Sequence, residues 1–283
     1  MTTALAAATR QPERADQTGG RPIAGRDEQC VGVENTAGRG RFVVICDHAA
    51  NSIPVRLGTL GLERPDLERH IAFDPGALPV ARHLAEQLDA PLVHGLISRL
   101  VIDCNRALDA PDLIPEVSET TVIPGNASLD PNERARRIVE VYEPFHAALA
   151  GLLDQRVAAG VETRLVSVHS FTPVYRGARR PWQVGIVFGR ERRLADALLA
   201  ALRRDPDLTV GENQPYEPAD GVFWTLARHG EACGLETAMI EIRNDLLADE
   251  TGQLAWAARL AEILRAAGPM APREKERRGW PVR

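Results

Sequence analysis

The chain has 283 residues, of which 44% are hydrophobic and 26% charged, with a formal net charge of −5. This is a globular composition, and the negative balance argues against nucleic acid or another polyanion as a general partner. No run of about 18 apolar residues occurs, so no transmembrane helix is expected, and the first residues lack the pattern of a secretory signal. The four Cys contain no CxxC pair, which argues against a disulfide framework or a zinc knuckle and favours a reducing cytoplasm.

The two ends of the chain differ in composition from its middle. Residues 1–38 are rich in Thr, Ala, Gly and Arg and show no apolar period, which predicts a disordered tail. Residues 268–283 predict a second disordered tail for the same reason. A single domain is therefore expected over residues 39–267.

Within this domain, apolar runs rich in Val and Ile alternate with stretches of helical periodicity. The predicted elements in chain order are a strand at 41–46, a helix at 76–88, a strand at 99–103, a helix at 131–153, strands at 163–168 and 183–188, a helix at 194–202, a strand at 237–242 and a helix at 251–266. The helix at 131–153 has a start signal, with Asp130 as N-cap, Pro131 at the first position and Glu133 at the third. Continuous apolar strands belong to a sheet that is covered on both faces, so we predict a three-layer αβα domain around a mostly parallel or mixed sheet.

Four of the predicted strands end in polar chemistry. His48, Asn105–Arg106 and His169 follow three of them, and Glu241 lies on the last. Each has a structural interpretation by itself, as a hydrogen-bonded His, a helix-capping pair or a buried carboxylate with a partner. Ligands of such sheets bind beyond the carboxyl ends of the strands, so the set together predicts a site.

The residue types in this set indicate a mononuclear metal site. Two imidazoles and an oxygen ligand suit Zn²⁺ with one position open, and a nearby Glu can take a proton from the metal's water and return it to a leaving nitrogen. Arg and Asn would hold a substrate carboxylate. These are the parts of an amide hydrolase that acts on an acidic or amino-acid substrate.

Several segments of the chain resemble one known family. They are CDHAANSIP (46–54), RHIAFDPGA (69–77), SRLVIDCNR (98–106), IPGN (123–126), VHSFTP (168–173) with RPW (180–182), GENQPY (211–216) and EIRNDLL (241–247). In this order they are similar to the N-formylglutamate amidohydrolase family. The resemblance implies a zinc-carboxypeptidase-like α/β fold and metal-dependent cleavage of an N-acyl amide, such as the release of formate from N-formyl-L-glutamate.

The resemblance also implies roles for individual residues. His48 and His169 match the metal-binding histidines of that fold, and Glu241 matches the general base. Asn105 and Arg106 match the pair that holds the substrate carboxylate, with Arg99 nearby.

One position departs from the carboxypeptidase pattern. Asn51 stands three residues after the first His, where that pattern has a Glu ligand, and an amide oxygen binds zinc more weakly than a carboxylate. Asp74 is our choice for the missing ligand, with Asp47 behind it. Asp74 has an alternative role as the cap of the helix that starts at Pro75–Gly76.

The remaining candidates are secondary. Arg180, with its neighbour Arg179, and Arg243 are expected to add anion contacts. Asp103, Asn126 and Ser170 lie in the family-like segments and are further candidate site residues.

The sequence therefore predicts a cytoplasmic, zinc-dependent amidohydrolase of an N-formyl or N-acyl amino acid, with another divalent metal as the alternative cofactor. Its partner is a small carboxylate substrate, with no nucleic acid and no membrane. Two other functions stay open: a carboxypeptidase-like peptidase acting on a small acidic peptide, and a carboxylate-binding protein without catalysis, which Asn51 keeps in consideration. The oligomeric state is not predicted.

Overall fold

A computed structural model of the chain describes residues 29–268. Of the tails predicted at 1–38 and 268–283, residues 1–28 and 269–283 lie outside the described residues. The boundary predicted at residue 38 is wrong, because residues 31–34 form a strand in register with residues 92–95. Its short sequence, Val-Gly-Val-Glu, is too brief and too mixed to stand out as an apolar run. Among residues 29–268, no helix has the length and apolar character that a bilayer crossing requires.

Helices and strands alternate along most of the described chain. The strands are β1 Val31–Glu34, β2 Phe42–Cys46, β3 Leu92–Gly95, β4 Val117–Ser118, β5 Thr121–Val122, β6 Arg164–Phe171, β7 Val174–Tyr175, β8 Ala178–Arg179, β9 Val184–Val187, β10 Val210–Glu212 and β11 Thr237–Arg243. The α-helices are α1 Arg64–Leu67, α2 Ala77–Gln87, α3 Pro131–Arg137, α4 Glu143–Ala158, α5 Arg193–Leu202, α6 Trp224–His229 and α7 Glu250–Ala266.

A seven-stranded mixed sheet forms the centre of the fold, in the order β1-β3-β2-β6-β11-β9-β10. The pairs β3–β2, β2–β6, β6–β11 and β9–β10 are parallel, whereas β1–β3 and β11–β9 are antiparallel. Strands β2, β6 and β11 are therefore adjacent and parallel, so their carboxyl ends meet at one edge of the sheet.

Two apolar cores lie on opposite faces of this sheet, because successive strand residues point to opposite sides. Val44 and Cys46 of β2 join a core with α2, α5 and α7. Val43 and Ile45 join a second core with α4, α6 and the long loops. Each fully buried Leu or Ile contributes roughly 1.5–3 kcal/mol. The predicted αβα domain with a mixed sheet is confirmed.

The strand predicted at 99–103 is wrong: this buried segment is a series of turns, and the strand beside β2 is β3, which the sequence analysis missed. The backbone carbonyls of the segment bond to side chains instead of a neighbouring strand. Asn126 donates to Leu100 O at 2.8 Å, and Arg137 donates to Val101 O at 3.0 Å. Buried backbone groups need partners, and here polar side chains provide them.

The helix predicted at 131–153 is interrupted. A π-helical turn at Ile138–Tyr142 separates α3 from α4. Pro144 has no N–H to donate to the preceding turn, which accounts for the change in the hydrogen-bond pattern. The N-cap is as predicted, since the Asp130 side chain accepts from the backbone N–H of Asn132.

Candidate active site

A cavity of about 370 Å³ opens at the edge of the sheet where β2, β6 and β11 end. His48 follows β2, His169 lies on β6, and Glu241 lies on β11 directly beside His169 in the parallel register. All three side chains are buried and line the cavity wall. The prediction that polar residues of separate strands meet at this edge is therefore supported by their placement.

His48, Asp74 and His169 form a group with the geometry of a metal-binding set. One ligand atom from each lies within 4.8 Å of the others, and all three residues are buried. Asp74 Oδ2 lies 2.9 Å from Nδ1 of His169 and 3.5 Å from Nδ1 of His48, so the two imidazoles turn the same ring nitrogen toward one carboxylate oxygen. Two nitrogens and a carboxylate oxygen suit Zn²⁺, so these residues fit the metal that the resemblance implies.

Asp74 reaches this position through the turn before α2. Its backbone N–H donates to His48 O at 2.9 Å, which ties the two loops together. Gly76 has a φ of 79°, in the left-handed region that favours glycine, and a Cβ there would lie 2.3 Å from Leu247. The alternative role of Asp74 as a helix cap is not found, because the N-cap of α2 is Gly76 and no side chain caps it.

Arg99 lies against this candidate metal-binding set from the cavity side. Its Nη2 donates to Asp74 Oδ1 at 2.6 Å, which leaves Oδ2 facing the two histidines. Burial by itself would raise the pKa of Asp74, but Arg99 and His48 hold that pKa well below its usual range. Nη1 of Arg99 lies 3.1 Å from Nδ1 of His48, and a metal ion bound to that nitrogen would displace this contact.

Each histidine of the set also has a carboxylate beside its second ring nitrogen. Nε2 of His48 lies 2.7 Å from Asp103 Oδ1, and Nε2 of His169 lies 3.3 Å from Asp47 Oδ2. Asp47, which the sequence analysis kept as a second choice of ligand, therefore lies behind His169, on the side away from Asp74.

Glu241 has the electrostatic environment of a proton carrier. Burial, opposed by His169 and assisted by the negative charge of Asp74, raises the pKa of Glu241 to about 7. Its Oε2 is buried without a hydrogen-bond partner in the described part of the chain. A carboxyl group whose pKa is close to neutral can both accept and return a proton near neutral pH.

The predicted carboxylate-binding pair also lines the cavity. Arg106 is held by an ion pair with Asp112, at 3.0 Å, and by a hydrogen bond to Asp220 O. Asn105 accepts at 3.0 Å from the backbone N–H of Thr225 and donates to Val222 O. Both side chains are therefore fixed in place at the wall.

Most of the other predicted site residues lie outside the cavity wall. Arg180 lies between the rings of Tyr175 and Tyr216, and Arg243 pairs with Asp245; neither belongs to the cavity wall formed by residues 29–268. Asn51 donates to Leu67 O at 2.9 Å and holds its own loop. Asn126 supports the 99–103 segment described above. Ser170 lines the cavity and donates to Pro75 O at 2.8 Å, and Arg179 is exposed on β8.

His70, Arg176 and Tyr216 are among the wall residues that were not predicted. His70 lies 3.3 Å from Asp74 Oδ1, and Arg176 is in the turn between β7 and β8. Burial and then Glu241 raise the pKa of Tyr216 to about 12, although Arg180 lowers it. His70 and Tyr216 lie in family-like segments, RHIAFDPGA and GENQPY, which was the signal available for them.

The chain is similar to known proteins in both sequence and fold. The family model described as N-formylglutamate amidohydrolase matches residues 40–248. The crystal structure of gene product Atu2144 from Agrobacterium tumefaciens is 47% identical, with a TM-score of 0.83 over 85% of this chain and 95% of that one. N-formylglutamate amidohydrolase from Ralstonia eutropha JMP134 is 20% identical, with a TM-score of 0.57 over 84% and 97% of the two chains, which is a likeness of fold. A search of curated proteins gives no match.

The mixed αβα sheet, the cavity at its edge and the family match together define a hydrolase that acts on amide C–N bonds. The chain belongs to the N-formylglutamate amidohydrolase family. The resemblance found in the sequence segments is thereby confirmed.

Proposed function

We propose that the protein is a zinc-dependent amidohydrolase that cleaves the amide bond of an N-formyl or N-acyl amino acid, with N-formyl-L-glutamate as the first candidate substrate. The observation that carries this proposal is the group His48–Asp74–His169 next to Glu241 in one cavity. Asp74 supplies the carboxylate that the carboxypeptidase pattern takes from a Glu at the position of Asn51. Asn51 is therefore no argument for binding without catalysis.

Different cavity residues would bind the metal, transfer the proton and hold the substrate carboxylate. His48, Asp74 and His169 would hold Zn²⁺, which when bound polarises a carbonyl and lowers the pKa of a coordinated water. Glu241 takes a proton within the cavity and returns it to the leaving nitrogen, as its raised pKa allows. Arg106 binds the substrate carboxylate by exchanging its ion pair with Asp112, and Asn105 orients the same group.

The proposal is tested with purified protein, elemental analysis and a panel of N-formyl and N-acyl amino acids. We expect about one zinc per chain and turnover of at least one N-formyl amino acid. Glu241→Gln should lower kcat by about 10²–10⁴-fold. Glu236→Gln is the matched control, because Glu236 is equally buried at 4% exposure but pairs with Arg164 outside the cavity.

The outcomes separate the alternatives. Full activity of both Glu241→Gln and His169→Ala would refute this mechanism. Cleavage of small acidic peptides in place of acyl amino acids, seen by mass spectrometry, would favour the peptidase. Binding of acyl amino acids without turnover after zinc is added would favour the non-catalytic protein.

A cytoplasmic location is also proposed. The four cysteines, Cys30, Cys46, Cys104 and Cys233, are free thiols. Free thiols are typical of proteins that work in a reducing compartment. Localisation of a tagged full-length chain tests this.

A further inference from the structure

We propose that Asp47 is a positioning residue that sets the orientation of His169 as a metal ligand, and that Thr225 fixes Asp47 for this task. The inference rests on the proposed function, since it assigns the residues behind the same metal-binding set. It concerns groups that do not line the cavity and are not expected to touch substrate.

Asp47 directly precedes His48 in the chain, yet its side chain faces the other histidine. Its carboxylate is fully buried, and Oδ2 lies 3.3 Å from Nε2 of His169. Neither of these two atoms has a hydrogen-bond partner within residues 29–268. A buried carboxylate oxygen and a buried ring nitrogen are both costly without a partner, and the ion-pair contact between these two atoms places each where it can satisfy the other.

His48 has a carboxylate behind its second ring nitrogen as well, and there the hydrogen bond is formed. Its Nε2 lies 2.7 Å from Asp103 Oδ1, while its Nδ1 faces Asp74. Metal-bound histidines almost always donate the N–H of their second nitrogen to a carboxylate, a carbonyl or water, which fixes the tautomer and the ring orientation. Asp47 would thus keep the proton on Nε2 of His169 and leave the lone pair of Nδ1 for the metal.

Thr225 holds the other oxygen of Asp47. Its hydroxyl donates to Asp47 Oδ1 at 2.5 Å, with Cys104 O further away at 3.3 Å. Its backbone N–H donates to Asn105 Oδ1 at 3.0 Å. Thr225, which is fully buried, therefore connects Asp47 to the loop that begins at Asp103. One network thus holds both the carboxylate behind His169 and the carboxylate behind His48.

Zinc affinity of the metal-free protein measures this role without using catalysis. Chelator competition should show that Asp47→Asn weakens zinc binding by about 10–100-fold. Thr225→Val should weaken it in the same direction and by less, whereas Thr225→Ser, which keeps the hydroxyl, should bind as the wild type does. Thr237→Val is the matched control, because Thr237 is fully buried and its hydroxyl has no partner in the described region; its zinc affinity should not change.

Circular dichroism and the Tm of each metal-free variant show whether it is folded, and the absorption spectrum of the Co²⁺-substituted protein reports ligand geometry. A folded Asp47→Asn protein with wild-type zinc affinity and an unchanged Co²⁺ spectrum would overturn the proposal. So would equal losses in Thr225→Ser and Thr225→Val. Wild-type protein that binds no zinc would overturn both proposals, whereas the expected affinity pattern without turnover of any substrate would refute only the proposed function.

Discussion

The buried pair His146 and His229 should make the stability of the protein depend on pH. Nδ1 of His146 lies 2.9 Å from Nε2 of His229, and the two rings are stacked with centroids 5.1 Å apart. Burial, then the neighbouring histidine, lowers the pKa of His146 to about 3, and burial, then Arg228, lowers that of His229 to about 4. Both rings are therefore neutral in the folded protein at pH 5–7.

The sign of the effect follows from proton uptake. Below pH 6.5 the unfolded chain binds protons on these histidines and the folded chain does not, so stability falls as the pH decreases from about 6.5. For His146 the loss between pH 7 and pH 5 is about 2 kcal/mol, from a folded pKa of about 3. A variant without this histidine should lose about 2 kcal/mol less over the same interval.

The assay is urea unfolding of the wild type and of His146→Leu at pH 7.0, 6.0 and 5.0. His146→Leu should be less stable at pH 7, because His229 loses its partner, but its free energy of unfolding should fall less steeply toward pH 5. His83→Leu, at a partly exposed helical position, is the control for removing a histidine. Parallel pH curves for the wild type and His146→Leu would refute the reasoning.

Three further predictions concern the cavity and its support. Arg176 lines the cavity, and no acidic side chain in residues 29–268 forms a salt bridge with it, so we expect it to bind the side-chain carboxylate of N-formyl-L-glutamate. Arg176 and Gly177 have φ values of 49° and 81° in a two-residue turn that favours Asn-Gly, so Arg176→Asn should keep the Tm but raise KM for N-formyl-L-glutamate by about 10–100-fold and leave that for N-formyl-L-glutamine unaffected. Equal effects on both substrates would contradict this role. Asp74→Asn should lose its zinc in elemental analysis and reduce turnover by at least about 100-fold, and retention of one zinc per chain would exclude Asp74 as a ligand. Asn126→Ala should cost about 3 kcal/mol in urea unfolding, because two buried carbonyls lose their donor, and a change below about 0.5 kcal/mol would show that water replaces the amide.

The sequence was most informative where periodicity and burial agree. Strands β2, β6, β9 and β11 and helices α2, α5 and α7 lie where their apolar patterns predicted them. The strand predicted at 99–103 is wrong because an apolar pattern indicates burial but not backbone pairing. The carbonyls of this segment accept hydrogen bonds from Asn126 and Arg137, which lie far along the chain. No local pattern reveals partners of that kind.

The site residues likewise divide into those that a local pattern reveals and those that depend on partners far along the chain. His48, His169 and Glu241 could be predicted because a parallel sheet brings strand ends together. Asp74 required the family-like segment around it. Arg176 and Thr225 could not be predicted, because no local pattern reveals how the β7–β8 turn and helix α6 are placed against the edge of the sheet.

The π-helical turn before α4 has a consequence for how this chain tolerates length changes. A π turn holds one residue more than the α-helical turn that replaces it, so it takes up a residue that would otherwise rotate the following helix by about 100° about its axis. Deleting the exposed Val139 with conversion of the π turn to an α-helical turn should therefore keep α3 and α4 in rotational register, and Arg137 should keep its contact with Val101 O. Tyr142, whose hydroxyl bonds to Arg106 O, lies in the same turn. The π turn thus absorbs a difference of one residue in the helix that supports the loop of Arg106, so relatives that lack that residue should keep the same contacts to residues 101 and 106.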